Sequence, residues 1–373
     1  MKAYKDKALI FILCIIVLAI FFVGPKKKLQ NVEDLDIYVG IGSGFEITSK
    51  GSGEYTVLAA ANMYKEDESV ATGIRVGRGR TVGKTREDRQ RKTGKTFFLG
   101  LIKIYVYDEE YAKKGIRPTL DIVFKNPIID ENAYMVVCKG KNENYFKSSL
   151  PGIENPSEYM SDMVKNSVSY NFFKENYTFR NVLLSLEAEG RNAVVPYISM
   201  DSNGIKISGM AVFNKDKLMT VLDMNDTRIM NMLRENKVRG ALTLQDSASK
   251  SVNYMAKTNR KVKCVKVGDK YSFTIDLKLD GEILDNEMYA NLTKDPKIMK
   301  KFESDMENHV EEECNRFIDK MQNQFKYDFL QLGWVASAKY GKETGVDWND
   351  IVSNSNIKVN VKVKVTNVGR GQY

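Results

Sequence analysis

Histidine is almost missing from this 373-residue chain; the single one is His309. Zinc hydrolase chemistry on a helix needs a second histidine four residues on, and position 313 is Glu. A Ser-His-Asp relay would have the same one imidazole to draw on, and nothing around it supports one. Set among acids in Glu307-Asn308-His309-Val310-Glu311, it reads as a solvated helix side chain. Cysteine is scarce as well: Cys14, Cys138, Cys264 and Cys314 are far apart, with no C-x-x-C. Neither a zinc site nor a disulfide framework is signalled. Cys138 and Cys314 fall among apolar residues and read as small core side chains. No nucleophile elbow, HExxH, kinase set or calcium loop occurs. Gly-Lys-Thr appears at 83–85 and 94–96, but Arg78 and Arg89 stand where a phosphate loop needs its first glycine. Gly40-Ile41-Gly42-Ser43-Gly44 is followed by extended Phe45-Glu46-Ile47-Thr48, not by the helix of a dinucleotide loop; its glycines permit a bulge or a twist. The expectation is a chain that is not an enzyme, with no cofactor and no metal.

What the chain does have is a long apolar run, Ala8 to Gly24, with no charged side chain. Its 17 residues would make a helix of roughly 25 Å, slightly short of a ~30 Å hydrocarbon core. Lys2, Lys5 and Lys7 precede it; Lys26, Lys27 and Lys28 follow. A signal peptide needs small residues before its cut, whereas this run ends Phe-Phe-Val-Gly-Pro. Cys14 is a poor lipidation site, being mid-run and preceded by Leu13. Retention as a membrane anchor, with Leu9, Ile12, Ile16 and Phe21 facing lipid, is therefore preferred over cleavage. The lysines are balanced and leave the orientation open.

The net charge is +9, which favours an anionic partner surface. With an anchor in place, lipid is the simpler partner and nucleic acid is not expected. The basic charge concentrates in Arg75, Arg78, Arg80, Lys84, Arg86, Arg89, Arg91 and Lys92, opposed only by Glu87 and Asp88. Two readings stand: a helix over 81–92 with a solvated basic face, or a docking surface for lipid headgroups or an acidic partner.

The rest reads as α+β, with two to three mixed-sheet α/β domains after the membrane helix. Segments 35–42 and 55–62 form a hairpin, and 96–107 and 134–139 are core strands. Helices are expected over 108–114, 119–125, 157–166, 178–187 and 225–236. From Arg239 the pattern is strongly β. Asp295 caps a long helix that starts at Pro296. Ile298, Phe302, Met306, Val310, Cys314, Phe317, Met321 and Phe325 line one stripe of it, and its outward face is acidic near 303–313. Gly333 ends that helix or marks a close approach. Ile357 to Val365 alternates cleanly as a strand over the helix. The divisions expected are an anchor at 1–28, one domain at 29–195 and another at 196–373, subdivided near 246.

Four stretches, in this order, resemble the Ger(x)C family, the C subunits of bacterial spore germinant receptors. They are Tyr38-Val39-Gly40-Ile41-Gly42; Phe98-Leu99-Gly100-Leu101-Ile102-Lys103 with Glu110-Tyr111-Ala112 and Gly115-Ile116-Arg117-Pro118; Ile207-Ser208-Gly209-Met210-Ala211-Val212-Phe213 with Asp216-Lys217-Leu218; and Tyr327-Asp328-Phe329-Leu330-Gln331-Leu332-Gly333 with Trp348 and the terminal Val-Lys-Val-Lys-Val. The resemblance implies a non-enzymatic receptor subunit on the outer face of the spore inner membrane. It implies assembly with a polytopic A subunit and a transporter-like B subunit. Members carry a lipobox Cys followed by Trp; here Pro25-Lys26-Lys27-Lys28 stands in that place. A membrane-tethered module binding its own small ligand is the alternative.

Overall fold

The computed structural model describes residues 12, 13, 15, 16, 31–49, 51–65, 69–149, 152–247, 249–342 and 345–367. Two sheets organise it. The first contains β1 (Leu35–Ile47), β2 (Gly53–Tyr64), β3 (Val70–Gly79), β4 (Thr96–Phe98), β5 (Ile104–Asp108), β6 (Tyr134–Cys138), β7 (Val194–Asp201), β8 (Gly204–Asn214) and β9 (Lys217–Asp223). Its order is β3-β2-β1-β5-β6-β7-β8-β9, with β4 beside the start of β1. Strands β1, β5, β6 and β7 are parallel, and the flanking pairs are antiparallel. Parallel strands are covered on both faces, which explains why β5 and β6 read as unbroken apolar runs. The sheet continues past the 195/196 division expected from sequence, because β8 and β9 fold back on β7.

The covering helices are α1 (Val82–Gln90), α2 (Glu109–Lys114), α3 (Arg117–Phe124), α4 (Asn142–Phe146), α5 (Pro156–Asn166), α6 (Phe179–Glu187) and α7 (Met224–Arg234). Tyr38, Tyr105, Met135 and Val137 on one face of the sheet pack with Leu120, Phe179 and Val182. Val39, Ile104, Val106 and Val136 on the other share a core with Phe146, Met160 and Met230.

That second core runs on into the other sheet: β10 (Arg239–Ser247), β11 (Lys250–Val267), β12 (Lys270–Asn286) and β13 (Asn356–Asn367). On it lies the long helix α8 (Pro296–Asp319), followed by α9 (Leu332–Tyr340) and α10 (Trp348–Ser353). Asp295 accepts from the Lys297 amide, as a cap should, and Pro296 is the first helical residue. Phe302, Met306, Val310, Cys314 and Phe317 are buried. The fold is thus mixed α/β with two sheets, the second carrying the long helix.

Three local expectations change. The expected strand 96–107 is two strands, because β4 pairs with Leu35–Ile37 and β5 rejoins β1 only at Gly40, beyond a bulge at Tyr38. The α-helical part of the long helix ends at Asp319 and continues as a π-helix over Lys320–Phe325, which keeps Met321 buried and Phe325 against the core before Lys326 adopts φ 51°. The acidic face of α8 is partly turned inward. Glu303 accepts from the Val365 amide and Glu307 from Val363 (2.9 and 3.0 Å), satisfying the outer edge of β13.

Candidate functional site

The glycines of β1 explain the site's floor. A side chain at Gly40 would meet Ser157 and Phe146, and one at Gly42 would meet Asn142, at 2.5–2.8 Å. At Gly44 it would overlap the Asp108 carboxylate. The stripe therefore lets α4 and α5 lie close on the strand, a packing role beyond the bulge expected from sequence. Where β1, β5 and β6 end, the chain leaves an open crevice of about 630 Å³. It lies at the carboxyl ends of parallel strands, where strand order reverses and α/β sheets place ligands. Asp108, Asn142, Phe45, Arg78, Lys114 and Lys141 line it.

Most charges in the crevice are already spoken for. Arg78 lies 3.2 Å from Glu46 and 4.0 Å from Glu54 and Glu143; Lys141 pairs with Glu46 at 2.7 Å. Lys113 pairs with Glu109 and Glu110. Lys114 sits 4.0 Å over the Phe45 ring. Asp108 makes no ion pair to a described residue; it accepts from the Asn142 amide and the Cys138 thiol. Burial pushes its pKa up to about 6, against partial relief from the Asn142 hydrogen bonds. A folded pKa above the unfolded value means that the contribution of Asp108 to stability is greatest below about 4 and is lost as pH rises through 6. Asp108→Asn keeps the acceptor for Asn142 and removes the buried charge. Thermal melts should show the variant ahead by on the order of 2–3 kcal/mol at pH 7.5, the gap closing towards pH 4.5. A gap independent of pH contradicts this assignment.

The eight basic residues singled out by sequence do not form one surface. Arg75 binds the buried Asp36 at 2.9 Å. Arg89 is buried and donates to the Val57 carbonyl and Thr85 Oγ1, fastening α1 to the sheet. Arg78 belongs to the crevice. Lys84 pairs with Glu87, and Arg91 and Lys92 with Asp88. Arg80 and Arg86 are exposed and make no ion pair to a described residue. Helix α1 is present as expected, capped by Thr81. Of the anchor residues, Ile12 and Ile16 are helical and exposed; Leu9, Cys14 and Phe21 lie outside the described residues. Among the described residues, no helix is long and apolar enough to cross a membrane. The remaining cysteines are buried and unpaired. His309 is half-buried rather than solvated, in a crevice between α7, β10 and α8, and desolvation lowers its pKa.

Sequence reasoning missed a buried polar junction. The stretch Tyr327 to Gly333 is wedged between both sheets' connections. The Tyr327 hydroxyl shares its one proton between Asn192 Oδ1 (2.7 Å) and the Phe213 carbonyl (2.9 Å). Asn192 Nδ2 donates to the Asp328 carbonyl and Asn349 Oδ1, both at 2.8 Å. Arg234 donates to the carbonyls of Phe329 (2.8 Å) and Asn192 (2.7 Å) and to Glu235. Arg260 donates to the Leu330 carbonyl. Asp328 accepts from the Leu330 and Gly333 amides; burial still raises its pKa. Burial would raise Glu235 too, but Arg234 and Lys174 outweigh it and hold it low. Gly333 is the close approach that sequence allowed for: a Cβ there would meet Trp348 at 2.6 Å. A polar residue headed for the interior carries no mark in one sequence, so Asn192 and Arg234 gave no signal.

Comparisons with known proteins agree with this architecture. Residues 29–200 match the spore germination protein N-terminal domain, and 208–369 match the spore germination B3/GerAC-like C-terminal domain. The chain is 22% identical over 360 residues to spore germination protein GerQC of Bacillus cereus, covering 95% of this chain and 97% of that one. It is 18% identical over 352 residues to spore germination protein B3 of Bacillus subtilis (strain 168), covering 91% and 93%. The crystal structure of the GerBC protein superposes with a TM-score of 0.52 at 15% identity, over 88% of this chain and 97% of that one. At that identity the likeness is one of fold. The junction at 327–333 is also one of the four stretches that carried the resemblance in sequence. The two domain matches follow each other along nearly the whole chain, and the chain belongs to the Ger(x)C family of spore germination proteins.

Proposed function

We propose that this chain is the non-enzymatic C-type subunit of a membrane-bound germinant receptor. It is held by a retained helix at Ala8–Gly24 and assembles with polytopic A and B subunits on the outer face of the spore inner membrane. The observation that carries this reading is the pair of domain matches, which leaves little of the chain outside the family's pattern. The apolar run with lysines on both sides supports the tether. A transmembrane helix holds more firmly than a single lipid chain. Mass spectrometry of the N-terminus from native membranes tests the tether. An intact peptide spanning Ala8–Gly24 is expected; a product beginning after Gly24, or a lipid on Cys14, overturns it.

Arg80, Arg86 and Arg91 are the basic side chains best placed to meet an anionic partner, since Arg75 and Arg89 are occupied internally. Reversing all three to Glu should weaken association with the partner subunits several-fold at low salt, with the difference fading at high salt. Binding unchanged at low salt leaves them as a solvated face.

One observation favours a second reading, a tethered small-ligand binding module: the crevice over Asp108 occupies the position where α/β sheets bind ligands. Small-molecule screening by thermal shift separates the two. A ligand that protects the wild type but not Lys114→Ala supports the second reading, and a screen with no such ligand removes it.

A further inference from the structure

We infer that the sheet end bearing the amino termini of β1, β5 and β6 rests on the bilayer through exposed apolar side chains. The inference rests on the tether reading above. Six residues, 25–30, separate the apolar run from Asn31. Fully extended, the link from Gly24 to Asn31 spans at most about 25 Å. The chain then enters β1 at Leu35. That end of the sheet is held near the membrane surface, while the far end of the 13-residue strand is about 40 Å further on.

The near end is unusually apolar at its tips. Phe98, Leu101, Phe124 and Ile128 are 36, 52, 63 and 59% exposed. Topology gathers them. Phe98 pairs beside Ile37 at the start of β1. Leu101 lies in the turn leading into β5. Helix α3 runs back from the carboxyl end of β5 to the start of β6, so Phe124 and Ile128 emerge at the same end. A side chain at Gly100 would lie 2.9 Å from Phe98 and 3.3 Å from the Ile128 carbonyl, which shows those segments adjoin. Large side chains projecting together from loops suit insertion at the headgroup–acyl boundary.

The charges nearby are mixed. Lys95, Lys103 and Lys125 share this end with Glu33, Asp34, Asp130 and Glu131, and Lys103 is paired with Glu158. Attraction by anionic headgroups is therefore not the driving force. The contact is apolar, and its strength should change little with salt, unlike an electrostatic one.

The test uses the full chain in vesicles of phosphatidylcholine and anionic phosphatidylglycerol, with Cys14→Ser as background. A fluorophore goes on Ile16→Cys, Phe124→Cys or Ile47→Cys, the last being 73% exposed at the opposite end of β1. Quenchers are carried on the lipid chains. Strong quenching at 16 and 124 and several-fold weaker quenching at 47, alike at low and high salt, is the expected result. Quenching at 16 with none at 124 overturns the docked face and leaves the tether standing. No quenching at either overturns both. Quenching at 124 that disappears at high salt also overturns the inference, since the contact would then be electrostatic.

Discussion

Arg234→Ala is expected to lower the melting temperature of the chain by about 5 °C. The guanidinium is buried at the end of α7 and serves three acceptors at once: the Phe329 and Asn192 carbonyls and the Glu235 carboxylate. Truncating one member of a buried ionic network costs about 3–5 kcal/mol, because the partners stay buried without it. At about 1.3 °C per kcal/mol for a chain of 373 residues, that gives the expected shift. Glu235 would keep Lys174 at 2.9 Å. Arg234→Lys should recover little, since an ammonium cannot reproduce the planar fork that spans both carbonyls. Thermal unfolding of the two variants beside wild type checks this. A loss below about 0.5 kcal/mol, the usual scale of a surface substitution, would show that the junction does not hold the two sheets together.

Gly190→Ala is expected to be comparably severe, for a different reason. Gly190 has φ +70°, and a Cβ there would overlap the backbone of Gly333 and Trp334. The left-handed conformation alone costs about 1–2 kcal/mol with a side chain. The overlap is with backbone, so either the 189–192 stretch or the start of α9 must move, and Arg191 would lose its place 4.2 Å over the Trp334 ring. A total of about 3–4 kcal/mol is expected. Gly268→Ala separates the two terms. Gly268 has φ +59° in the β11–β12 turn with open space around it, so it should lose only the conformational part. Equal losses at 190 and 268 would contradict the close approach.

Much of the fold was legible because it obeys local rules. The long helix announced itself by its cap and by a stripe stepping every four residues, and β13 by strict alternation. The pieces that were not legible depend on partners remote in sequence. Nothing local says that Leu99 to Lys103 must detour, since the detour follows from where β4 and β5 each pair with β1. Glu303 and Glu307 look like solvent-facing acids until β13 arrives 56–62 residues later to offer its amides. The basic stretch illustrates the same limit: a run of arginines in sequence became a buried strut, a salt bridge and a crevice wall, because strand, turn and helix point them in different directions. The family motif at 327–333 was visible as a pattern, but its role as the junction between the sheets required the partners Asn192, Arg234 and Asn349.

The proposed function requires this chain to assemble with other subunits at a membrane. Affinity purification of the tagged full-length chain from the inner membrane of dormant spores, in mild detergent, tests it most directly. Polytopic A-type and B-type receptor subunits should be recovered with it in fixed proportion. Recovery of the folded chain without either subunit would contradict it.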